Sequence, residues 1–172
     1  ILIDKTDLIE EYFQLHLTFE TIDSMGANFI NSCLEQIANT LQSAALEYDD
    51  FNEEEKQIEV IMSILSNYVP GCIVHASVSC PIKHLEETKG LSSQAFAEKF
   101  IKAVEVAQKE PYRAVTHNKG IMNGVDAVVM ATGNDFRAVE AAAHAYASKE
   151  GIYTSLSNAY IEDNYFFFEI KI

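Results

Sequence analysis

Lys119 and Asp135 stand at either end of an apolar segment, and their types and spacing carry the strongest chemical signal in the chain. Lys119 sits in Thr116-His117-Asn118-Lys119-Gly120-Ile121-Met122-Asn123-Gly124, and Asp135 closes Ala131-Thr132-Gly133-Asn134-Asp135. Between them Val125 to Met130 is apolar apart from Asp126, which predicts a buried segment. An ammonium beside buried structure needs a counter-charge, because an isolated one in low dielectric is very costly. Asp135 is the natural partner. Such a pair can be a structural ion pair. It can also do chemistry: Lys119 can point its ammonium at a carbonyl oxygen, stabilise the charge that gathers there during reduction and supply a proton. Asp135 then holds Lys119 charged and oriented. Arg113 and Asn123 lie close in sequence and can fix a substrate carboxylate and hydroxyl, Arg through its bidentate fork. The residues alone leave both readings open.

A second constellation, Asp23-Ser24-Met25-Gly26-Ala27-Asn28, falls where strand-like alternation gives way to helical spacing. A helix start offers unpaired N–H groups and a partial positive charge, which suits a phosphate or pyrophosphate. Gly26 and Ala27 let a ligand come close to the backbone. An ordinary helix cap fits the same spacing. The segment is neither the GxGxxG fingerprint nor a P-loop.

The elements that must position these groups can be read from the pattern. Phe13 to Thr21 alternates as a half-buried strand, and Ile30, Leu34, Ile37, Leu41 and Ala45 form one helical stripe. Tyr48 to Glu55 is an acidic, solvated connection, and Ile58 to Leu65 reads as a strand. Pro70-Gly71 marks a turn before a strand from Cys72 to Cys80, ended by Pro81. A helix from about Ser92 to Lys109 carries Phe96, Phe100, Ile101, Val104 and Ala107 on one face, with Ser92 or Ser93 as its cap. Pro111 ends it or starts the next element. Asn118 to Met130 reads as a largely buried helix, and Asn134 or Asp135 caps another that runs to about Lys149, with Gly151 as its stop. Strands at Ile152 to Tyr160 and Tyr165 to Ile172 flank a hairpin turn at Glu162-Asp163-Asn164. Strands and helices mix without strict βαβ alternation, an α+β pattern with a lobe boundary between Asp50 and Gly71.

Composition narrows the function classes. With 172 residues and a hydrophobic fraction of 48%, the chain can build a core. A net charge of −14 repels nucleic acid and anionic membranes, so neither is expected as a partner. No apolar run reaches the roughly 18–20 residues that cross a bilayer. Cys33, Cys72 and Cys80 are odd in number, lack ligand spacing and read as reduced thiols of a cytoplasmic protein, with Cys72 and Cys80 packed in a strand. His16, His75, His84, His117 and His144 show no metal spacing, and no GxSxG elbow occurs. Both ends read as cut, since the chain opens on Ile1-Leu2-Ile3 and closes on a strand.

Glu20-Thr21-Ile22-Asp23-Ser24-Met25-Gly26-Ala27-Asn28 resembles the DAMGAN-type signature of the 3-hydroxy-3-methylglutaryl-coenzyme A (HMG-CoA) reductases, with Ser24 in place of the usual Ala. Asn118 to Gly124, with Ala131 to Glu140, resembles a second signature of that family, in its class II form. The resemblance spans about Leu15 to Tyr146. It implies reduction of HMG-CoA to mevalonate and coenzyme A by two hydrides from NADH or NADPH. On this resemblance Lys119 and Asp135 are catalytic, and Arg113 and Asn123 bind the HMG portion. Asp23, Met25, Gly26 and Asn28 lie on the dinucleotide turn, and Asn67 matches a further active-site asparagine. It also implies a homodimer or higher homo-oligomer. Residues 1–58 would end a small, non-Rossmann cofactor lobe, and 59–172 would belong to a larger mixed α/β substrate lobe. The family's catalytic glutamate and its thiolate-protonating histidine have no counterpart in these residues, so the piece alone is expected to be inactive. The competing expectation is a non-catalytic nucleotide-binding or assembly module of the same fold.

Overall fold

Two structural units divide the chain after Leu65. The computed structural model describes residues 1–85 and 90–172.

The first unit, Ile1–Leu65, holds a short ribbon and a long helix. Strands β1 (Leu2–Asp4) and β2 (Phe13–Leu15) pair antiparallel, with Leu2 opposite Leu15. The alternating stretch therefore forms a strand only over its first three residues. Phe13, Leu15 and Leu17 remain 53%, 42% and 39% exposed, contrary to the half-buried expectation, because a two-stranded ribbon has no second layer of its own to cover them. Helix α1 (Ala27–Glu47) follows the helical stripe, burying Ile30 and Ala45. Ile58–Leu65 is not a strand. It runs without a ladder, and its backbone is caught by helix side chains: Gln42 donates to the Ile58 carbonyl at 2.9 Å and Leu65 N–H donates to Asn31 Oδ1 at 2.9 Å. Those amides supply partners that a neighbouring strand would otherwise give.

The second unit, Ser66–Ile172, is built on a three-stranded antiparallel sheet with order β3–β5–β4. Strand β3 spans His75–Pro81, β4 Ser157–Glu162 and β5 Tyr165–Lys171. Thus β3 begins three residues after Cys72, which is exposed, while Cys80 packs against the core as expected. The last strand pair starts at Ser157 rather than Ile152; the residues before it are held by side chains of α3, described below. Asp163 and Asn164 turn the β4–β5 hairpin with φ of 48° and 64°, left-handed values that Asp and Asn tolerate best among non-glycine residues.

Helix α2 (Ser93–Lys109) lies on one face of this sheet, where Ile82, Ala97, Val104, Ala159 and Phe166 are buried together. Phe100 meets the rings of Phe166 and Phe168 edge-on at 5.3 and 5.6 Å. Ser92 caps α2, accepting from Ala95 N–H. Pro111 starts α3 (Pro111–Ala131), with Glu110 as the cap. Helix α4 (Phe136–Ala147) opens behind Asp135 and ends before Lys149.

Helix α3 is longer than its sequence reading and much less buried. Only Ala114, Asn118 and Met122 are fully enclosed, at four-residue spacing, toward α2 and α4. Val128 and Met130 are 64% and 56% exposed, so Val125–Met130 is not the buried segment its composition predicts. Its apolar residues run round the helix, and packing covers a single stripe. The architecture is thus mixed α and β, with two small sheets and four α-helices among the described residues.

Candidate functional site

In the first unit Gly26 occupies the residue before α1 in a left-handed conformation, φ 67° and ψ 15°. A Cβ added there would stand 2.9 Å from Thr21 Cγ2, so the turn is closed to any larger residue without rearrangement. The Gly26 carbonyl accepts from Ile30 N–H at 2.8 Å, while no side chain caps the helix. Among the described residues the N–H groups of Ala27, Asn28 and Phe29 therefore have no protein acceptor. Asp23, Met25 and Asn28 are exposed around this opening. Backbone donors, helix dipole and close access together fit an anionic group such as a dinucleotide pyrophosphate.

In the second unit Arg113, Lys119 and Asn123 all lie on α3 and all are exposed. Lys119 and Asn123 are four residues apart and share a face. Arg113 lies six residues before Lys119, about 9 Å along the axis. Asn67 is exposed in the segment before β3. Lys119 and Asn123 can meet a carbonyl and a hydroxyl presented to their face, while Arg113 points about a third of a turn away from Lys119.

Lys119 does not form the buried pair with Asp135 that the sequence suggests. It is solvent-exposed and makes no hydrogen bond or ion pair among the described residues. Asp135 instead caps α4, accepting from Arg137 N–H at 3.1 Å and Ala138 N–H at 3.4 Å. Its carboxylate also takes Arg137 Nε at 3.1 Å and Nη2 at 3.3 Å. The Arg137 side chain, foremost among its partners, holds the Asp135 carboxyl below its ordinary value. The reason for the difference is first the length of α3, which carries Lys119 twelve residues, about 18 Å, from the helix end that precedes Asp135. Exposure then lets solvent screen Lys119 without a counter-charge.

Several polar residues that carry the site's framework escape pattern reading. Asn118 is fully buried; its Nδ2 donates to the Thr154 carbonyl at 2.9 Å and its Oδ1 accepts from Leu156 N–H at 3.0 Å. It locks the middle of α3 to the approach to β4 and so fixes the helix rotation that puts Lys119 outside. The visible clue is its place four residues before Met122, on the apolar stripe. His117 Nε2 and buried Ser157 Oγ are 2.7 Å apart, and burial, then the nearby Arg113 charge, pushes this imidazole below its ordinary value. Glu110 caps α3 through Tyr112 and Arg113 N–H at 3.0 and 2.7 Å, and its only sequence clue is the Pro that follows. A separate shallow cleft of about 290 Å³, lined by His75, Gln108, Tyr146, Lys149, Glu169 and Lys171, contains none of the candidate residues. No group of three or more His, Cys, Asp or Glu side chains among the described residues is placed to hold a metal ion. No described helix is long and apolar enough to cross a membrane.

The family model for hydroxymethylglutaryl-coenzyme A reductase matches residues 3–172, and the chain belongs to that family. It is 38% identical over 159 residues to a probable HMG-CoA reductase of Borreliella burgdorferi, covering 92% of this chain and 34% of that protein. It is 35% identical over 137 residues to the Archaeoglobus fulgidus HMG-CoA reductase, covering 80% and 28%. Among solved structures, HMG-CoA reductase of Streptococcus pneumoniae matches with 40% identity and a TM-score of 0.73 over 89% of this chain and 39% of that one. A class II form of that enzyme, bound to NADPH in open conformations, matches to the same degree. The chain thus spans about a third of the length of the relatives it matches.

Proposed function

We propose that the protein containing this chain reduces HMG-CoA to mevalonate and free coenzyme A, consuming two NAD(P)H. The family membership supports the reaction class. The observation that carries the reading onto this chain is the uncapped, glycine-led start of α1, an anion-binding geometry on the segment that bears the first family signature. The nicotinamide cofactor supplies the hydrides when bound. Gly26, with the N–H groups of Ala27 and Asn28, would hold its phosphates, and Asp23 and Met25 would border it; Asn67 is a cofactor-binding candidate by resemblance alone.

Lys119 donates to the thioester carbonyl oxygen and stabilises the oxyanion as the hydride arrives. Exposure on α3 leaves its ammonium unpaired and available. Asp135, its carboxyl lowered by Arg137, is the second catalytic residue of this reading; α3 runs about 18 Å along its axis from Lys119 to the end that precedes Asp135, so Asp135 acts without pairing directly with Lys119 in this arrangement. Asn123 holds the substrate hydroxyl and Arg113 its carboxylate. In this reading the first unit is the end of the small cofactor lobe and the second belongs to the substrate lobe. The working form is a homodimer or higher homo-oligomer in the cytoplasm.

Incubation of the full-length protein with HMG-CoA and NADPH or NADH tests the proposal. The expected result is mevalonate and coenzyme A at two dinucleotides oxidised per thioester consumed. Dinucleotide binding without turnover of any acyl-CoA would instead establish the non-catalytic module.

A further inference from the structure

The shallow cleft of about 290 Å³ lies within the second unit and draws two ammonium groups from separate elements. Lys149 follows the end of α4, and Lys171 ends β5. Backbone bonds tie both ends to one short span: Thr154 N–H donates to the Ala147 carbonyl at 3.0 Å, and Lys171 N–H donates to the Leu156 carbonyl at 2.9 Å. Tyr146 lines the same cleft, and Lys149 Nζ stands 4.1 Å from the centre of its ring.

Among the described residues neither ammonium has a carboxylate within ion-pair distance. This holds in a chain of net charge −14, and although Glu150 and Glu169 line the same cleft. Glu169 is turned to other partners. Tyr160 Oη donates to its Oε1 at 3.0 Å, and its Oε2 lies 3.7 Å from His75 Nε2. Two cations and a phenol O–H are thus left to donate, with no internal acceptor for their charge. Ala147 and Leu156 supply an apolar part of the wall, which strengthens any charge pairing made against it.

We propose that Lys149, Lys171 and the Tyr146 hydroxyl form a binding site for a small oxyanion, the phosphate or carboxylate group of a small metabolite. Pockets for drug-sized ligands start at about 300 Å³, so this cleft has no room for a whole dinucleotide or acyl-CoA. The site is therefore additional to the one proposed for the reaction and does not rest on it. The Lys149 ammonium first, and Lys171 after it, lower the Tyr146 phenol from its ordinary 10.0, in keeping with two cations facing one hydroxyl.

Reductive methylation of the full-length protein with isotopically labelled formaldehyde keeps each lysine cationic and gives it a carbon NMR signal. Lys149→Arg and Lys171→Arg assign the two signals. Inorganic phosphate and acetate are titrated separately, against chloride at matched ionic strength. The Lys149 and Lys171 signals should move together with one dissociation constant. Lys171→Gln should weaken the Lys149 response about tenfold, because one charged donor to the anion is gone. A stronger response to phosphate assigns the site to a phosphate group, and a stronger response to acetate assigns it to a carboxylate. Shifts no larger than those in chloride overturn the proposal. So do two signals that follow different constants, or a Lys149 response unchanged by Lys171→Gln. Both lysines are exposed, so the variants should fold. No readout depends on turnover, so failure of the proposed reaction leaves the test intact.

Discussion

The start of α1 and the start of α4 solve the same physical problem in opposite ways. Every helix begins with N–H groups that lack intrahelical partners. At α4 the protein closes them itself: Asp135 accepts from Arg137 and Ala138. Ser92 and Glu110 do the same for α2 and α3. At α1 the preceding residue is Gly26, which has no side chain to offer, and the donors stay open. A helix start closed by its own chain stabilises the fold. One left open gives up about 1 kcal/mol of capping energy and keeps its donors for a ligand.

Substitutions can break or sharpen this contrast. The largest expected effect is catalytic: Lys119→Ala in the full-length protein should lower kcat by about 10²–10³-fold while leaving the thermal midpoint nearly unchanged, because the side chain is exposed. A large stability loss with normal turnover would place Lys119 in the scaffold instead. Next, Asn118→Ala should destabilise by about 2–3 kcal/mol in denaturant titration, since it leaves the Leu156 N–H and the Thr154 carbonyl without partners. Gly26→Ala should cost about 1–2 kcal/mol from the left-handed backbone alone, and it should also weaken dinucleotide binding in a calorimetric titration. The smallest loss belongs to a closed start: Ser92→Ala should cost about 1 kcal/mol and leave dinucleotide affinity unchanged. The Asp135 cap adds a pH signature. Its lowered carboxyl stabilises the fold above the ordinary 3.8, and that contribution disappears as pH falls through the folded value. Asp135→Asn should therefore flatten the acid limb of a stability-versus-pH curve.

Periodicity revealed α1, α2 and the β4–β5 hairpin because each has one packed face and one wet face. It misled at Ile58–Leu65, whose composition suits a strand but whose backbone is satisfied by Gln42 and Asn31 side chains. It misled again on α3, where apolar residues surround the axis and only long-range packing selects the buried stripe. At the candidate site the signature residues were legible as types: Gly26 for its turn, Lys119 and Asp135 for their charges. Their partners were not. Whether Asp135 can hold Lys119 depends on where α3 ends; because it runs on to Ala131, Asp135 pairs with its neighbour Arg137 instead. Asn118 joins α3 to the approach to β4 through the tertiary fold, so it leaves little local trace.

The hairpin turn at Asp163-Asn164 has a consequence for the order of assembly. Strand β5 pairs with β4 across a two-residue turn and with β3 across some eighty intervening residues, His75 opposite Lys171 at one end. The local pair can close within microseconds, whereas the distant strand must wait for α2, α3 and α4 to condense between them. The central strand of the sheet is thus first half of a quick hairpin and only later the docking edge for β3, so mutations in the turn should slow folding while mutations in β3 should chiefly speed unfolding.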